Sequence, residues 1–372
     1  MKIDTIDIFH VEMPMKTPFR TAFGVETAIG SVLVRLGSAG ERGWGESSPG
    51  SVPMYCAESA ATAFLVARNY LAPLLLGREI ESGTALTDAL APIKGNPFAK
   101  AAIDAAWWDL AARIEGLPLH EMLGGRRTVI DAGADFGVLD TIDDLVASVG
   151  DALGDGYRRV KLKIAPGWDV APVEAVRSAF PDVTLHVDGN SGYTLDDVDI
   201  FKRLDRFNLA MIEQPLAHDD LLDHSYLQTL IDTPICLDES IYSPDCARKA
   251  AFLKACRWAN IKPGRVGGMT NARIVHDIFF DAGIPCWVGG MMESAVGAAH
   301  CLALATLPNM AYPADIFPSD RFYARDLGTP PMVHDEPGRF HVRPGPGIGA
   351  EPDTAVLDEL TVEKASFGRE EV

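Results

Sequence analysis

Residues 160–168 read VKLKIAPGW, and they place two lysines one residue apart within an apolar run. Side chains two positions apart on a β-strand point to the same side, so Lys161 and Lys163 would stand next to each other. Two like charges on one face of a buried strand are tolerated only if negative groups face them. The segment therefore predicts a buried strand that opens onto a charged site.

Charged residues recur after this strand at an almost constant spacing. Lys163 is followed by Asp188, Glu213, Asp238 and Lys262, at intervals of 25, 25, 25 and 24 residues. Such an interval fits one strand-plus-helix unit, so the five residues occupy equivalent places in successive units. Each is followed by Gly, Pro or a turn, which puts it at the carboxyl end of its strand. In β/α barrels this end carries the active site.

Short apolar strands alternate with amphipathic stretches throughout this region, which indicates a parallel sheet. Seven or so units in about 200 residues favour a closed β/α barrel over an open sheet. The candidate strands are IDAGADFG, RRVKLKI, VTLHVDGN, LAMIEQP, TPICLDES, WANIKPG and IPCWVGG.

The first part of the chain has a different pattern. Residues 1 to about 50 alternate as antiparallel strands do, whereas 56–76 and 99–115 have helical spacing, the second ending at Gly116. These features predict an α+β block. The tail from about residue 328 is rich in Pro and Gly, and we expect it to return to this block.

Three carboxylates that converge at a barrel mouth repel one another unless a cation lies between them. Asp188, Glu213 and Asp238 form an all-oxygen set, which suits Mg²⁺ first and Mn²⁺ second. Lysines close to such an ion should have lowered pKa values, so that one can be neutral near pH 7 and act as a base. A carboxylate substrate would then lose its α-proton through an enediolate that the metal and a lysine stabilise.

Composition excludes several other classes of protein. The chain has 372 residues, is 47% hydrophobic and carries a formal net charge of −19, which disfavours nucleic acid as a partner. No apolar run reaches 18 residues and the first residues do not resemble a signal peptide, so we expect no membrane association. The six cysteines form no CxxC pair, as expected for a reduced, cytoplasmic protein.

Seven motifs together resemble the enolase superfamily: KLKIAPGWD, VDGN, IEQP, CLDES, NIKPGRVGG, VGGMMES and SDRFY. They are most similar to its muconate-lactonizing subgroup, and within it to the o-succinylbenzoate synthase / N-acylamino acid racemase family. The resemblance covers nearly the whole chain. It implies an α/β fold: a modified (β/α)7β TIM barrel at 126–327, and an α+β capping domain at 1–125 that the tail 328–372 completes.

The resemblance also implies roles for the charged residues. Asp188, Glu213 and Asp238 would bind Mg²⁺, and Lys163 and Lys262 would lie on opposite faces of the substrate. In a racemase one lysine removes the α-proton and the other returns it. In a synthase Lys163 would serve a syn dehydration while Lys262 stabilises the enediolate. The expected partners are a small carboxylate substrate and further copies of the chain.

Weaker expectations concern residues around these five. Lys161 is expected to hold the substrate carboxylate, and PFRTAFG at 18–24 to form a mobile lid hinged at Gly24, against the alternative of an ordinary loop. Asn190 and Glu239 are expected behind the metal site, with strand-end packing as the alternative. The predicted substrate contacts are Phe19, Arg20, Gly24, Asp135, Lys161, Glu293 and Ser294.

Two positions depart from the family pattern. Asp135 stands where relatives usually have a small residue; it could pair with Lys161 or favour a cationic substrate tail. Ala298 stands where the family tends to have an arginine. This second departure weakens the assignment of a racemase-type or synthase-type substrate.

Several alternative functions stay open at this point. Dipeptide epimerisation and muconate cycloisomerisation would use the same five residues. A Schiff-base lyase barrel would also use a strand-end lysine, but it needs no carboxylate triad. A non-catalytic binding protein would not need the complete set of two lysines and three acids.

Overall fold

The fold is that of a computed structural model, which describes residues 1–21 and 24–368. The strands are β1 (Thr5–Thr21), β2 (Gly24–Ser38), β3 (Glu41–Ser47), β4 (Val129–Asp131), β5 (Ala134–Phe136), β6 (Arg159–Lys163), β7 (Thr184–Asp188), β8 (Ile212–Glu213), β9 (Ile235–Leu237), β10 (Trp258–Ile261), β11 (Cys286–Val288), β12 (Gly328–Thr329), β13 (Arg339–His341), β14 (Glu351–Pro352) and β15 (Thr361–Phe367).

Helices fill most of the intervals between these strands. They are α1 (Ala60–Val66), α2 (Ala72–Leu75), α3 (Gly83–Leu90), α4 (Pro97–Glu115), α5 (Leu119–Met122), α6 (Ile142–Gly154), α7 (Val170–Ala179), α8 (Val198–Leu204), α9 (Leu222–Leu227), α10 (Pro244–Leu253), α11 (Pro263–Val266), α12 (Met269–Asp281), α13 (Ala295–Leu304) and α14 (Thr354–Leu360). A π-helical turn, Ala67–Leu71, joins α1 to α2. None of the described helices is both long and apolar enough to cross a membrane.

The first sheet is antiparallel, in the order β15-β1-β2-β3, and helix α4 packs against it. Small residues allow this packing, because a β-carbon added at Gly45 of β3 would lie 2.2 Å from the carbonyl oxygen of Ala102 in α4. Helix α4 ends as predicted at Gly116, which adopts φ 69°. The tail returns to the sheet through β15, which pairs with β1.

The second sheet is parallel and follows chain order from β5 to β11. Residues 310–315 close it into a barrel as an eighth strand, which we call the closing strand: Ala311 N donates to the Cys286 carbonyl on one side, and Gly133 N donates to the Ala314 carbonyl on the other. Helices cover the outside of the strands. The fold class is the α/β barrel with an α+β cap that the sequence predicts.

A buried aspartate joins the two parts of the molecule. Asp104 on α4 accepts hydrogen bonds from the backbone nitrogen of Thr270 (3.0 Å) and from its hydroxyl (2.6 Å), at the start of barrel helix α12. The residue before α12, Gly268, has no side chain to cap the helix, so Asp104 does so from the other domain. Burial raises the pKa of Asp104 to about 7.

Candidate active site

The five spaced residues lie at the carboxyl ends of neighbouring barrel strands. Lys163, Asp188 and Glu213 are the last residues of β6, β7 and β8, and they are in register with one another. Asp238 and Lys262 directly follow β9 and β10. All five side chains are buried. The sequence ladder therefore corresponds to one edge of the barrel.

Two of the acids are paired with the two predicted catalytic lysines. Nζ of Lys163 lies 2.6 Å from Oδ2 of Asp188, and Nζ of Lys262 lies 2.9 Å from Oδ2 of Asp238. Arg265, in the short helix after β10, donates to the other oxygen of Asp238. The lysines thus approach the acids from two sides, one from β6 and one from β10.

Acidic side chains face Lys161 and compensate its buried positive charge. Its ammonium lies 2.9 Å from Oδ2 of Asp135 and donates to Asp315, and it is 3.7 Å from Glu213. Burial tends to lower the pKa of Lys161, but attraction to Asp135 and Asp315 raises it well above the usual value. Lys161 is 3% exposed and is not among the residues that line the cavity described below, so its role as a substrate contact stays a prediction.

Asp315 and Arg159 belong to this network, and sequence reasoning missed both. Arg159 donates to Asp135 (2.7 Å) and to Asp315, the last residue of the closing strand. A signal for Arg159 was present, because positions 159, 161 and 163 fall on one strand face. Asp135 pairs with Lys161, the first of the two predicted possibilities, and both its oxygens are engaged by cations.

A small cavity of about 60 Å³ lies between the barrel edge and the cap. Both candidate catalytic lysines open into it, and apolar side chains form much of its wall. Its lining residues are Phe19, Glu26, Ile29, Ser48, Gly50, Tyr55, Lys163, Asn190, Lys262, Gly290, Met291 and Met292.

Tyr55 brings the cap into contact with the charged edge of the barrel, and sequence reasoning missed it. Its hydroxyl accepts hydrogen bonds from Lys262 (3.2 Å) and Arg265 (3.0 Å) and lies 3.5 Å from both oxygens of Asp238. Lys262 also stands 4.6 Å from the centre of the Tyr55 ring, a cation–π contact. Tyr55 therefore holds Lys262 from the cap side.

Asn190 and Glu239 lie next to each other behind the acids. Asn190 donates to Oε1 of Glu239 (3.0 Å), and its backbone nitrogen donates to Asp188 (3.0 Å). Burial raises the pKa of Glu239 to about 7, and Asp188 adds to that shift. A further amide, Asn260 on β10, donates to Oε1 of Glu213 (2.6 Å). These amides fix the orientation of the acids.

Glu293 and Ser294, the two predicted substrate contacts that follow β11, have different hydrogen-bond partners. Oε2 of Glu293 accepts from the backbone nitrogen of Met291 (2.8 Å), and burial raises the pKa of Glu293 to about 7. Ser294 is fully buried, caps α13 and donates to Glu46 of the cap. Because its hydroxyl is turned to Glu46, the structure does not bring Ser294 to the cavity.

The segment 18–24, for which the sequence predicts a mobile lid or an ordinary loop, belongs in its described part to a β-hairpin. Phe19 and Arg20 pair with Glu26 and Val25, so the described part is the end of the β1–β2 hairpin, and Ala22 and Phe23 lie outside the described residues. Phe19 lines the cavity, whereas exposed Arg20 pairs with Asp140 at 2.7 Å. Gly24 stands at the hairpin end beside Met54. The Pro and Gly residues of this segment are typical of a loop, and sequence composition does not reveal that the segment pairs with the neighbouring strand.

Two family descriptions match the chain on either side of the domain junction. "Mandelate racemase / muconate lactonizing enzyme, N-terminal domain" matches residues 3–124, and "Enolase C-terminal domain-like" matches residues 144–356. The chain belongs to the enolase superfamily.

Relatives of this enolase-superfamily enzyme have two kinds of name. The o-succinylbenzoate synthase of Geobacillus kaustophilus is 44% identical, over 97% of this chain and 96% of its own. The N-succinylamino acid racemase of Thermus thermophilus is 42% identical, over 97% and 98%. A solved dipeptide epimerase from Cytophaga hutchinsonii, complexed with Mg and dipeptide D-Ala-L-Val, matches with a TM-score of 0.91 at 27% identity, covering 98% of this chain and all of that one.

The acids of this enolase-superfamily enzyme suit a divalent cation in donor type, charge and strand position. Oε2 of Glu213 is buried and accepts no hydrogen bond within the described part of the chain; His186 and Lys161 lie 3.4 and 3.7 Å away. Within residues 1–21 and 24–368, however, no three His, Cys, Asp or Glu side chains converge closely enough to surround one ion. The lysines hold the acids instead, so a metal would compete with them.

The protein's own groups keep Lys262 charged. Burial tends to lower the pKa of Lys262, but attraction to Tyr55, Glu239 and Glu213 outweighs it and raises the pKa above the usual value. The lowered lysine pKa that the sequence predicts therefore depends on a divalent cation beside the site.

Proposed function

We propose that this enzyme removes and returns the α-proton of an N-acylamino acid, and so acts as an N-acylamino acid racemase. The observation that carries the proposal is that Lys163 and Lys262 open into one cavity from strands on either side of three acids. Racemisation needs a proton acceptor on one face of the carbon and a donor on the other.

Mg²⁺ is the cation that we propose for Asp188, Glu213 and Asp238, with Mn²⁺ as a substitute. When bound, it supplies positive charge that stabilises the enediolate and lowers the pKa of the nearby lysines. The fit rests on the all-oxygen donor set and on the unpartnered oxygen of Glu213.

The proton steps fall to the two lysines. The neutral amine of one lysine takes the α-proton, so a C–H bond breaks and an N–H bond forms. The ammonium of the other gives a proton to the opposite face, which re-forms the C–H bond with inverted configuration. Tyr55 orients Lys262 from the cap, and apolar side chains such as Phe19 and Ile29 line the cavity around the reacting carbon.

Formation of o-succinylbenzoate by dehydration is the second candidate function. The observation that favours it is the name of relatives such as the Geobacillus kaustophilus enzyme. In this reaction one lysine takes the α-proton and later protonates the departing hydroxyl, while the other stays charged and stabilises the enediolate.

A single assay in D₂O with Mg²⁺ tests these assignments. N-succinyl and N-acetyl amino acids, dipeptides and the o-succinylbenzoate precursor are incubated with the enzyme and followed by mass spectrometry and chiral chromatography. We expect α-deuteration and inversion of N-acylamino acids. Water loss from the precursor without any inversion would assign the synthase instead, and absence of exchange in every substrate would refute the proposal.

A further inference from the structure

One acid lines the substrate cavity from the cap. Glu26 lies on β2 directly opposite Phe19 of β1, and both side chains contribute to the cavity wall. Directly opposed residues of an antiparallel pair point to the same face of the sheet, which explains their shared orientation. Among the described lining residues Glu26 is the one carboxylate.

Glu26 differs from the other acids of the site in having no hydrogen-bond or ion-pair partner among the described residues. Asp188, Asp238 and Asp135 each contact a lysine or an arginine, whereas no residue of the described ranges forms a hydrogen bond or ion pair with Glu26. Burial raises the pKa of Glu26, and the charge of Lys163 partly opposes that shift. A partly buried carboxylate without a partner is costly unless a ligand supplies one.

The backbone next to Glu26 leaves room for its carboxylate. Gly50 lies beside it, and a β-carbon added there would be 3.2 Å from Oε1 of Glu26. Gly50 also has φ 95°, which other residues rarely adopt. The carboxylate therefore stands at the cap side of the cavity, where a side chain at position 50 would crowd it.

We propose that Glu26 binds a positively charged group at the end of the substrate's side chain, so that the enzyme favours N-acyl derivatives of basic amino acids. This rests on the function proposed above. The substrate carboxylate would lie toward the lysines of the barrel and the ammonium or guanidinium end toward Glu26. A guanidinium suits the site best, because it can donate two hydrogen bonds to one carboxylate. Asp135, the acid that sequence analysis offered for this role, is already neutralised.

Pairs of substrates that differ in charge but not in size test this specificity. We compare kcat/KM for N-succinyl-arginine against N-succinyl-citrulline, and for N-succinyl-lysine against N-succinyl-norleucine. The wild-type enzyme is expected to favour each cationic member about tenfold or more. Glu26→Gln should bring the ratio close to one, and Glu26→Lys should invert it. Glu41→Gln removes a charge from the exposed β2–β3 turn and should leave the ratio as it is.

Three outcomes would overturn the proposal: no preference in the wild type, an equal loss for both members in Glu26→Gln, or the same change in Glu41→Gln. An equal loss would mean that Glu26 only positions Lys163. If Glu26→Gln does not fold by circular dichroism, Glu26→Ala, which also removes the carboxylate, gives the same comparison. Inversion of N-succinyl-norleucine tests the proposed function separately. If that fails, calorimetric binding of N-succinyl-arginine and N-succinyl-citrulline still decides whether the subsite exists.

Discussion

Nζ of Lys262 lies 2.9 Å from Oδ2 of Asp238, across two neighbouring strands of the barrel. Lys163 and Asp188 repeat this arrangement at 2.6 Å. Each proposed base therefore neutralises a proposed metal ligand. A metal ion and the two ammonium groups compete for the same oxygens, so metal binding and the basicity of the lysines are linked.

Replacing either lysine with arginine tests whether the lysine is needed as a proton-transfer group or only as a positive charge. Lys163→Arg and Lys262→Arg keep a cation beside the acids, but a guanidinium does not deprotonate in proteins. We expect each variant to lose racemisation by about 10²–10⁴-fold. Each should also lose α-deuterium exchange of one enantiomer only, and the two variants should lose opposite enantiomers. Polarimetry and mass spectrometry in D₂O measure both effects.

Lys249→Arg is the control for that experiment, because Lys249 is exposed on α10 and pairs with Asp245. Its activity should match the wild type. If both site variants retained exchange of both enantiomers, the assignment of the lysines as bases would be wrong.

Removal of a single acid is expected to weaken Mg²⁺ binding. Asp188→Asn, Glu213→Gln and Asp238→Asn each replace a charged oxygen donor, and each should raise the Kd for Mg²⁺ by about tenfold or more. Titration calorimetry with Mg²⁺ measures this without any substrate. EDTA should abolish exchange in the wild type, and added Mg²⁺ should restore it.

Asp245→Asn removes an acid of the barrel exterior and should leave the Kd unchanged. Wild-type affinity in all three site variants would show that the ion, if it binds, lies elsewhere.

A side chain at Gly45 should separate the cap helix from its sheet. A β-carbon there would lie 2.2 Å from the Ala102 carbonyl oxygen and 2.3 Å from the Ala106 nitrogen, both backbone atoms of α4. We therefore expect Gly45→Ala to lower the free energy of unfolding by about 1–3 kcal/mol. Urea denaturation followed by circular dichroism measures the change.

Gly154, at the end of α6, provides the matched comparison. Apart from its chain neighbours and the backbone of its own helix, no described atom lies within 4 Å of a β-carbon placed there. Gly154→Ala should therefore be neutral or raise the free energy of unfolding by about 0.4–1 kcal/mol. Equal effects of the two substitutions would contradict the packing argument.

Asp104 should make stability depend on pH. Its pKa is raised from 3.8 to about 7 in the folded protein, so the stability it contributes is complete below about pH 4. That contribution is lost as pH rises through 7, because the buried carboxylate then ionises. Between pH 5 and pH 8 the free energy of unfolding of the wild type should fall by about 1–3 kcal/mol relative to Asp104→Asn.

Urea titrations at the two pH values give this difference. Asp88→Asn, on the exposed face of α3, is the control and should track the wild type. A difference between Asp104→Asn and the wild type that did not change with pH would mean that Asp104 stays ionised throughout.

The regular part of the site could be predicted from the sequence. The interval between Lys163, Asp188 and Glu213 reflects strand-and-helix units whose strand ends share one edge, so spacing alone placed these residues together. The barrel class followed from the same alternation.

Contacts made across the barrel or between domains could not be predicted in this way. Asp315 reaches Lys161 only because the closing strand completes the barrel, and no spacing rule links residues so far apart in sequence. Tyr55 reaches Lys262 from a loop of the cap, whose docking depends on tertiary packing. The acid partners of Lys161, Asp135 and Asp315, could not be identified from spacing for the same reason.

Strand β15 covers the outer edge of β1, pairing Ile6 with Phe367, so two segments that lie far apart in the sequence share one sheet. During synthesis the edge of β1 stays open while the whole barrel is made, and an open strand edge is a template for wrong pairing. The edge of β1 is therefore covered only after β15 has been made. Loss of β15 by proteolysis would expose that edge again in the folded enzyme.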